Sequence, residues 1–269
     1  MNRDRVYLST LFIISFCPLL KADLSSSERK NLYDQANDAF RQALAQTDAK
    51  AAHEQFDKAI LSYKRLIQEG GIHNAKLYYN LANAYLLNDN IGKAILNYRR
   101  AERLNRRDAN IQKNLAFARS RRLDQVSLET RQKVLQTLFF WHYDFNIRTR
   151  FILACIFFAV TCISLTILLW RGRNSAVLVT TFIAALLTIA LNISIALEQY
   201  QESRTQEGVI IAADIIARQG DSDTYPPSFK EPLHAGTEFD IREHRTGWFH
   251  IQLADGAEAW IPDDAGEII

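Results

Sequence analysis

Three cysteines in 269 residues leave no room for a disulfide framework. They are Cys17, Cys155 and Cys162, and the last two lie inside a long apolar run, so no cysteine-based metal site is expected either. Helix breakers are almost as scarce in the first half: between Leu24 and Leu123 there is no proline, and the glycines are Gly70, Gly71 and Gly92. A stretch so poor in punctuation reads as helix after helix. Charge bias is missing as well. A net charge of +2 excludes the strongly basic character of a nucleic-acid binder, and there is no acidic tract. No G-x-S-x-G, phosphate loop or H-E-x-x-H occurs, and His53, His73, His142, His234, His244 and His250 are scattered without metal-ligand spacing on any helix. The expectation is a chain without catalytic residues, metal or cofactor.

What is present begins with two apolar runs, Phe151–Trp170 and Ser175–Leu197, neither of which contains Asp, Glu, Lys, Arg or His. Each is about as long as the roughly 20 residues that carry a helix across a bilayer. Residues 171–174 can join only antiparallel neighbours, so the pattern is a transmembrane helical hairpin. Cys155, Ala159, Cys162 and Thr166 on one run, and Ala184, Thr188 and Asn192 on the other, form small-residue stripes expected to be its internal seam. Asn192 is expected to satisfy a neighbour, since transport would call for more than one such group.

Residues 1–22 start with Arg3 and Arg5, run through an apolar middle and reach Ala22, the pattern of a secretory signal peptide. Cleaved or retained as an anchor, it would place residue 23 outside the cytoplasm. Arg171 and Arg173 favour a cytoplasmic turn, which agrees, although Arg148 and Arg150 flank the other end.

Residues 23–123 repeat themselves. Asn80-Leu81-Ala82 returns as Asn114-Leu115-Ala116, 34 positions on, and Lys58-Ala59-Ile60-Leu61-x-Tyr63 returns as Lys93-Ala94-Ile95-Leu96-x-Tyr98, 35 positions on. Those offsets match the tetratricopeptide period. Ala75–Asp108 resembles a complete repeat, with small Ala82 and Ala94 where two helices approach and Tyr85 and Tyr98 filling the wedge. The resemblance implies an all-α tetratricopeptide array whose groove is lined by Lys76, Tyr79, Asn80, Asn83, Leu86, Asn110, Lys113, Asn114 and Phe117. Asn83 and Asn114 coincide with asparagines that clamp a peptide partner in such arrays, and they equally fit ordinary repeat consensus.

Residues 124–150 carry Val134, Leu135, Leu138, Phe139, Phe140 and Trp141 on one face. Two readings stay open: an interfacial helix, or a face packed on the repeats. After residue 207 the period changes to two, with short strands at Val209–Ala212, Ile215–Arg218, Thr237–Glu243, Phe249–Leu253 and Glu258–Ile261 and a turn at Asp255-Gly256. Leu233–Thr237, Gly247–Ile251 and Asp255–Ile261 resemble a bacterial SH3 domain, a small all-β SH3-like barrel over residues 208–269. That resemblance implies a peptide or muropeptide groove with Tyr225, Trp248 and Trp260, of which at least one tryptophan is expected in the core.

Signal peptide, repeats, hairpin and SH3-like domain in this order resemble the BatE family of bacterial aerotolerance operons. The resemblance covers nearly the whole multidomain membrane protein and is strongest over Ala75–Asn114. It implies a non-enzymatic scaffold in the inner membrane, with both soluble domains in the periplasm. Its partners would be von Willebrand A-type Bat proteins, with a MoxR-type ATPase coupled indirectly. The alternative is a cell-wall sensor that holds peptidoglycan through the SH3-like domain.

Overall fold

The computed structural model describes residues 24–124, 139, 145, 147–172, 174–204 and 206–269. The expected signal segment and most of the 124–150 connector lie outside them. Helices α1 (Ser26–Ala45), α2 (Ala49–Gln68), α3 (Ala75–Leu87), α4 (Ile91–Leu104) and α5 (Ala109–Ser120) follow one another with short connections. Each starts where a small polar side chain can accept from a free helical N–H. Ser25 and Glu28 make a reciprocal capping box, and Asp48, Asn74, Asn90 and Asp108 cap the other four. The helices pair as α1 on α2 and α3 on α4, with α2 against α3 and α4 against α5. Ala36, Ala59, Ala82 and Ala94 are fully buried, which lets the backbones approach, while Tyr63, Leu66, Tyr98 and Leu115 fill the space between.

Helices α6 (Ile147–Arg171) and α7 (Ser175–Arg204) form the apolar hairpin; both are long and apolar enough to cross a membrane. Their seam differs from the expected one. Cys155, Ala159, Cys162 and Thr166 are exposed, and the contact is made instead by Arg150, Ala154 and Ser164 with half-buried Phe157 and Thr161. On α7 it runs through Ala184, Leu191, Ser194 and Glu198. On α6 these residues recur at spacings of four and three and on α7 at seven, three and four, the heptad spacing of left-handed helix pairs. The seam on α6 lies one to two residues from the expected stripe because a helix apolar all round carries no moment to orient it. Asn192 Nδ2 donates to the Thr188 carbonyl at 2.8 Å on its own helix and stays outside the seam.

The last segment forms a five-stranded antiparallel sheet in the order β6-β5-β4-β1-β7 and a two-stranded one of β2 and β3. The strands are β1 (Gln206–Ile210), β2 (Asp214–Ile215), β3 (Leu233–His234), β4 (Glu238–Arg245), β5 (Trp248–Leu253), β6 (Glu258–Pro262) and β7 (Gly266–Ile268). The expected strand at Ile215–Arg218 shrinks to β2 plus a bridge from Arg218 to Trp260, and β7 was not expected. Alternation holds where it was clearest: Phe249, Ile251 and Leu253 face inward from β5.

This sheet is docked on the helices rather than tethered to them. Val209 belongs to the same buried cluster as Ala94, Ile95 and Leu96, and Ile211 and Ile269 pack against it. Two glycines permit the contact. A Cβ on Gly92 of α4 would lie 2.8 Å from the Ile210 carbonyl oxygen, and one on Gly236 would lie 2.9 Å from Ile95 Cδ1. Gly92→Ala should therefore lower the melting temperature of the whole chain, although alanine favours helix by about 1 kcal/mol over glycine. A rise in melting temperature would show that the sheet gives way at no cost.

Candidate functional site

The repeat places tyrosines and asparagines in a recurring polar cluster on the face made by α1, α3 and α5. In the second unit the Tyr98 hydroxyl donates to Asn83 Oδ1, and Asn114 Nδ2 donates to Asn83 Oδ1 at 3.0 Å and to the Tyr79 hydroxyl at 2.9 Å. The first unit repeats the tyrosine–asparagine bonds without the bond between asparagines. The Tyr63 hydroxyl donates to Asn37 Oδ1 at 2.8 Å, and Asn80 Nδ2 reaches the Tyr33 hydroxyl at 3.5 Å. Tyr63 and Tyr98 are almost wholly buried, and burial raises both phenols, Tyr63 to about 12, so both are neutral donors at any ordinary pH.

The asparagines are half-buried, and their bonds leave atoms to spare. Among the described residues, Asn83 Nδ2 and Asn114 Oδ1 have no hydrogen-bond partner, nor do Asn37 Nδ2 and Asn80 Oδ1. Each unit therefore offers one spare donor and one spare acceptor, adjacent in the second unit, where Asn114 donates to Asn83. That is the complement of a peptide group, which has one acceptor and one donor.

The remaining groove candidates divide. Lys76, Asn110, Lys113 and Phe117 are exposed, and Phe117 keeps 53% of its surface. Tyr79 is half-buried with its ring 6.0 Å from that of Tyr98. Leu86 is buried in the helical core and presents nothing to a partner. Sequence reasoning missed Tyr33 and Asn37. The signal was there: Tyr33 and Tyr79, and Asn37 and Asn83, are each 46 positions apart by subtraction. The extra helical length of the first pair, 20 residues in each of α1 and α2 against 13 and 14 in α3 and α4, hid it from a 34-residue comparison.

On the sheet, Trp260 is buried, with His250 stacked at 4.8 Å and the Arg245 guanidinium 4.6 Å from its ring. Arg245 is held by Asp221 and Glu243. Trp248 is half-buried and Tyr225 exposed. The three aromatics therefore do not make one open cleft: Trp260 is buried and already engaged by His250 and Arg245.

Between helices and sheet lies a cavity of about 370 Å³ bordered by Asn90, Ile91, Arg121, Arg122, Ile211 and His234. Its charges are matched: Arg121 to Asp89 at 3.6 Å, Arg122 to Glu238 at 3.3 Å, and His234 to Asp124 at 2.7 Å. It is a seam of the docking contact. No group of three or more His, Cys, Asp or Glu that could hold a metal occurs among the described residues. No protein-family model matches the chain, and it has no significant match among curated proteins.

Proposed function

We propose that this chain is a non-enzymatic, membrane-anchored scaffold whose α1/α3/α5 face is a tetratricopeptide groove gripping an extended segment of a partner protein. The observation that carries this reading is the pair of spare donor–acceptor sets at Asn37/Asn80 and Asn83/Asn114, one repeat apart. Exposed Phe117 beyond them supplies an apolar anchor, and Lys76 and Lys113 favour an acidic segment. The C-terminal sheet is read as an SH3-like barrel, and the whole as a member of a Bat-type aerotolerance complex with von Willebrand A-type membrane partners and an indirectly coupled MoxR-type ATPase. The anchor is placed in the bacterial inner membrane with the array and sheet facing the periplasm. The expected export signal supports that orientation, and exposed Arg171 by the turn agrees with it. At the other end Arg150 is paired inside the hairpin with Glu198 while Arg148 is exposed, so charge alone decides less than the signal does.

The asparagines also hold the array together, so Asn83→Ala with Asn114→Ala would weaken the fold along with any binding. A cleaner test is Lys113→Glu with Phe117→Asp, both on the surface and outside the polar cluster. After solubilisation and affinity purification, mass spectrometry should find recovery of von Willebrand A-type membrane proteins lowered about tenfold, with the melting temperature unchanged. Undiminished recovery would overturn the groove.

A further inference from the structure

The hairpin sets the height of a bilayer against the rest of the chain. Its apolar runs begin at Phe151 and end at Leu197, so Arg150 and Glu198 stand where hydrocarbon gives way to headgroups. One Arg106 Nη donates to Glu198 Oε1 at 2.8 Å, which brings the α4–α5 turn to that same level. Arg107, next in the turn, and Arg148, two residues before Arg150, are both exposed. Among the described residues neither has a carboxylate partner, since Glu198 is taken by Arg106 and Arg150 and Asp108 is occupied capping α5. Leu104, just before the turn, is also exposed, at 53%. An exposed leucine beside exposed arginines at the end of an apolar hairpin matches the boundary region of a lipid leaflet.

We propose that this rim, Arg107 and Arg148 with Arg106 behind them, binds the phosphate groups of anionic phospholipids in the leaflet nearest the array. Guanidinium groups pair with phosphate in a bidentate fork. Two open arginines make no pocket that would retain free phosphate. A lipid differs because its acyl chains lie along α6 and α7 and keep its headgroup at the rim. Anionic lipid thereby seats the turn on the membrane surface and fixes how the array stands above it. The inference rests on the membrane-spanning reading of α6 and α7 and not on the peptide groove.

The test uses the full chain. Retention in membranes after alkaline carbonate extraction is expected; release would overturn the spanning reading and the rim with it. Purified in mild detergent, the protein should bind phosphatidylglycerol in preference to phosphatidylcholine of matched chains, read by native mass spectrometry. Arg107→Gln with Arg148→Gln should weaken phosphatidylglycerol binding roughly 25-fold, about fivefold for each arginine, and leave phosphatidylcholine unchanged. Inorganic phosphate should not compete. Equal binding of the two lipids, full binding by the double variant, or displacement by inorganic phosphate would each overturn the proposal.

Discussion

Arg150→Ala is expected to destabilise the folded chain by about 3–5 kcal/mol, the cost of leaving one charge of a buried pair alone. Arg150 has no exposed surface, and it donates to Ser194 Oγ at 2.7 Å and to the Ser194 carbonyl at 3.3 Å while pairing with Glu198. The Glu198 side chain is only 11% exposed. Without Arg150 its carboxylate is left beside the Ser194 region with Arg106 as its remaining cation, and Arg106 is 47% exposed. The link runs across three elements, so the loss should appear both in the hairpin and in the seating of α4 and α5. Unfolding in mixed micelles, followed by helical signal and by protection of the α4–α5 turn from protease, would measure it. Arg106→Ala should cost less than Arg150→Ala, since Arg106 is half-exposed and Glu198 keeps its buried partner Arg150. Equal effects of the two substitutions would refute the division of labour between the buried arginine and the exposed one.

The contrast between these arginines also marks how far sequence reading reached. Local signals were legible: the Ser25/Glu28 capping box, the paired helices with alanine at their contacts, the two apolar spans and the Asp255-Gly256 turn all depend on neighbours within a few positions. Contacts between distant residues were not. Arg148 and Arg150 look alike as flanking charges, yet one is exposed and the other is buried in an ion pair with a residue 48 positions away by subtraction. Gly92 reads as a flaw in a good helix, and its reason lies in Ile210 of a different element. The same holds for the proposed groove. Asn83 and Asn114 were placed by repeat position, but their internal bonds to Tyr98 and Tyr79 depend on three helices meeting. The sheet was expected as a separate module, because hydrophobic alternation tells which face is buried but not what buries it.

What buries it is held by a carboxylate, and Glu238→Gln is the second large effect. Arg119 grips Glu238 with two hydrogen bonds of 2.6 and 2.7 Å, and Arg122 and Arg99 lie 3.3 and 3.2 Å away. Beside it Asp124 accepts from the Thr237 hydroxyl at 2.6 Å and from the His234 backbone and ring at 2.7 Å each. Burial opposes ionisation of both acids, yet the arginines hold Glu238 below its ordinary 4.5, and the hydrogen bonds hold Asp124 below its ordinary 3.8. A carboxyl depressed on folding contributes stability above its unfolded value and loses it as pH falls through its folded one. The docking of sheet on helices should therefore be at full strength at neutral pH and weaken progressively below about 4.5. Glu238→Gln removes the charge at every pH and leaves three arginines facing one another. The expected cost is about 3 kcal/mol, at the low end for a buried pair because the Glu238 side chain keeps 21% of its exposure. Hydrogen exchange at Val209–Ile211 reports it, since this segment packs on α4 while Ile210 and Ile211 donate to the Thr237 and Ala265 carbonyls, bonds that loosen when the docking that backs them is lost. In the variant these amides should exchange faster at neutral pH, and the difference from the parent protein should shrink in acid as the parent's own Glu238 is protonated. If exchange there is unchanged, the apolar contact of Val209 with Ala94 and Ile95 holds the sheet by itself, and the arginine cage serves some other end.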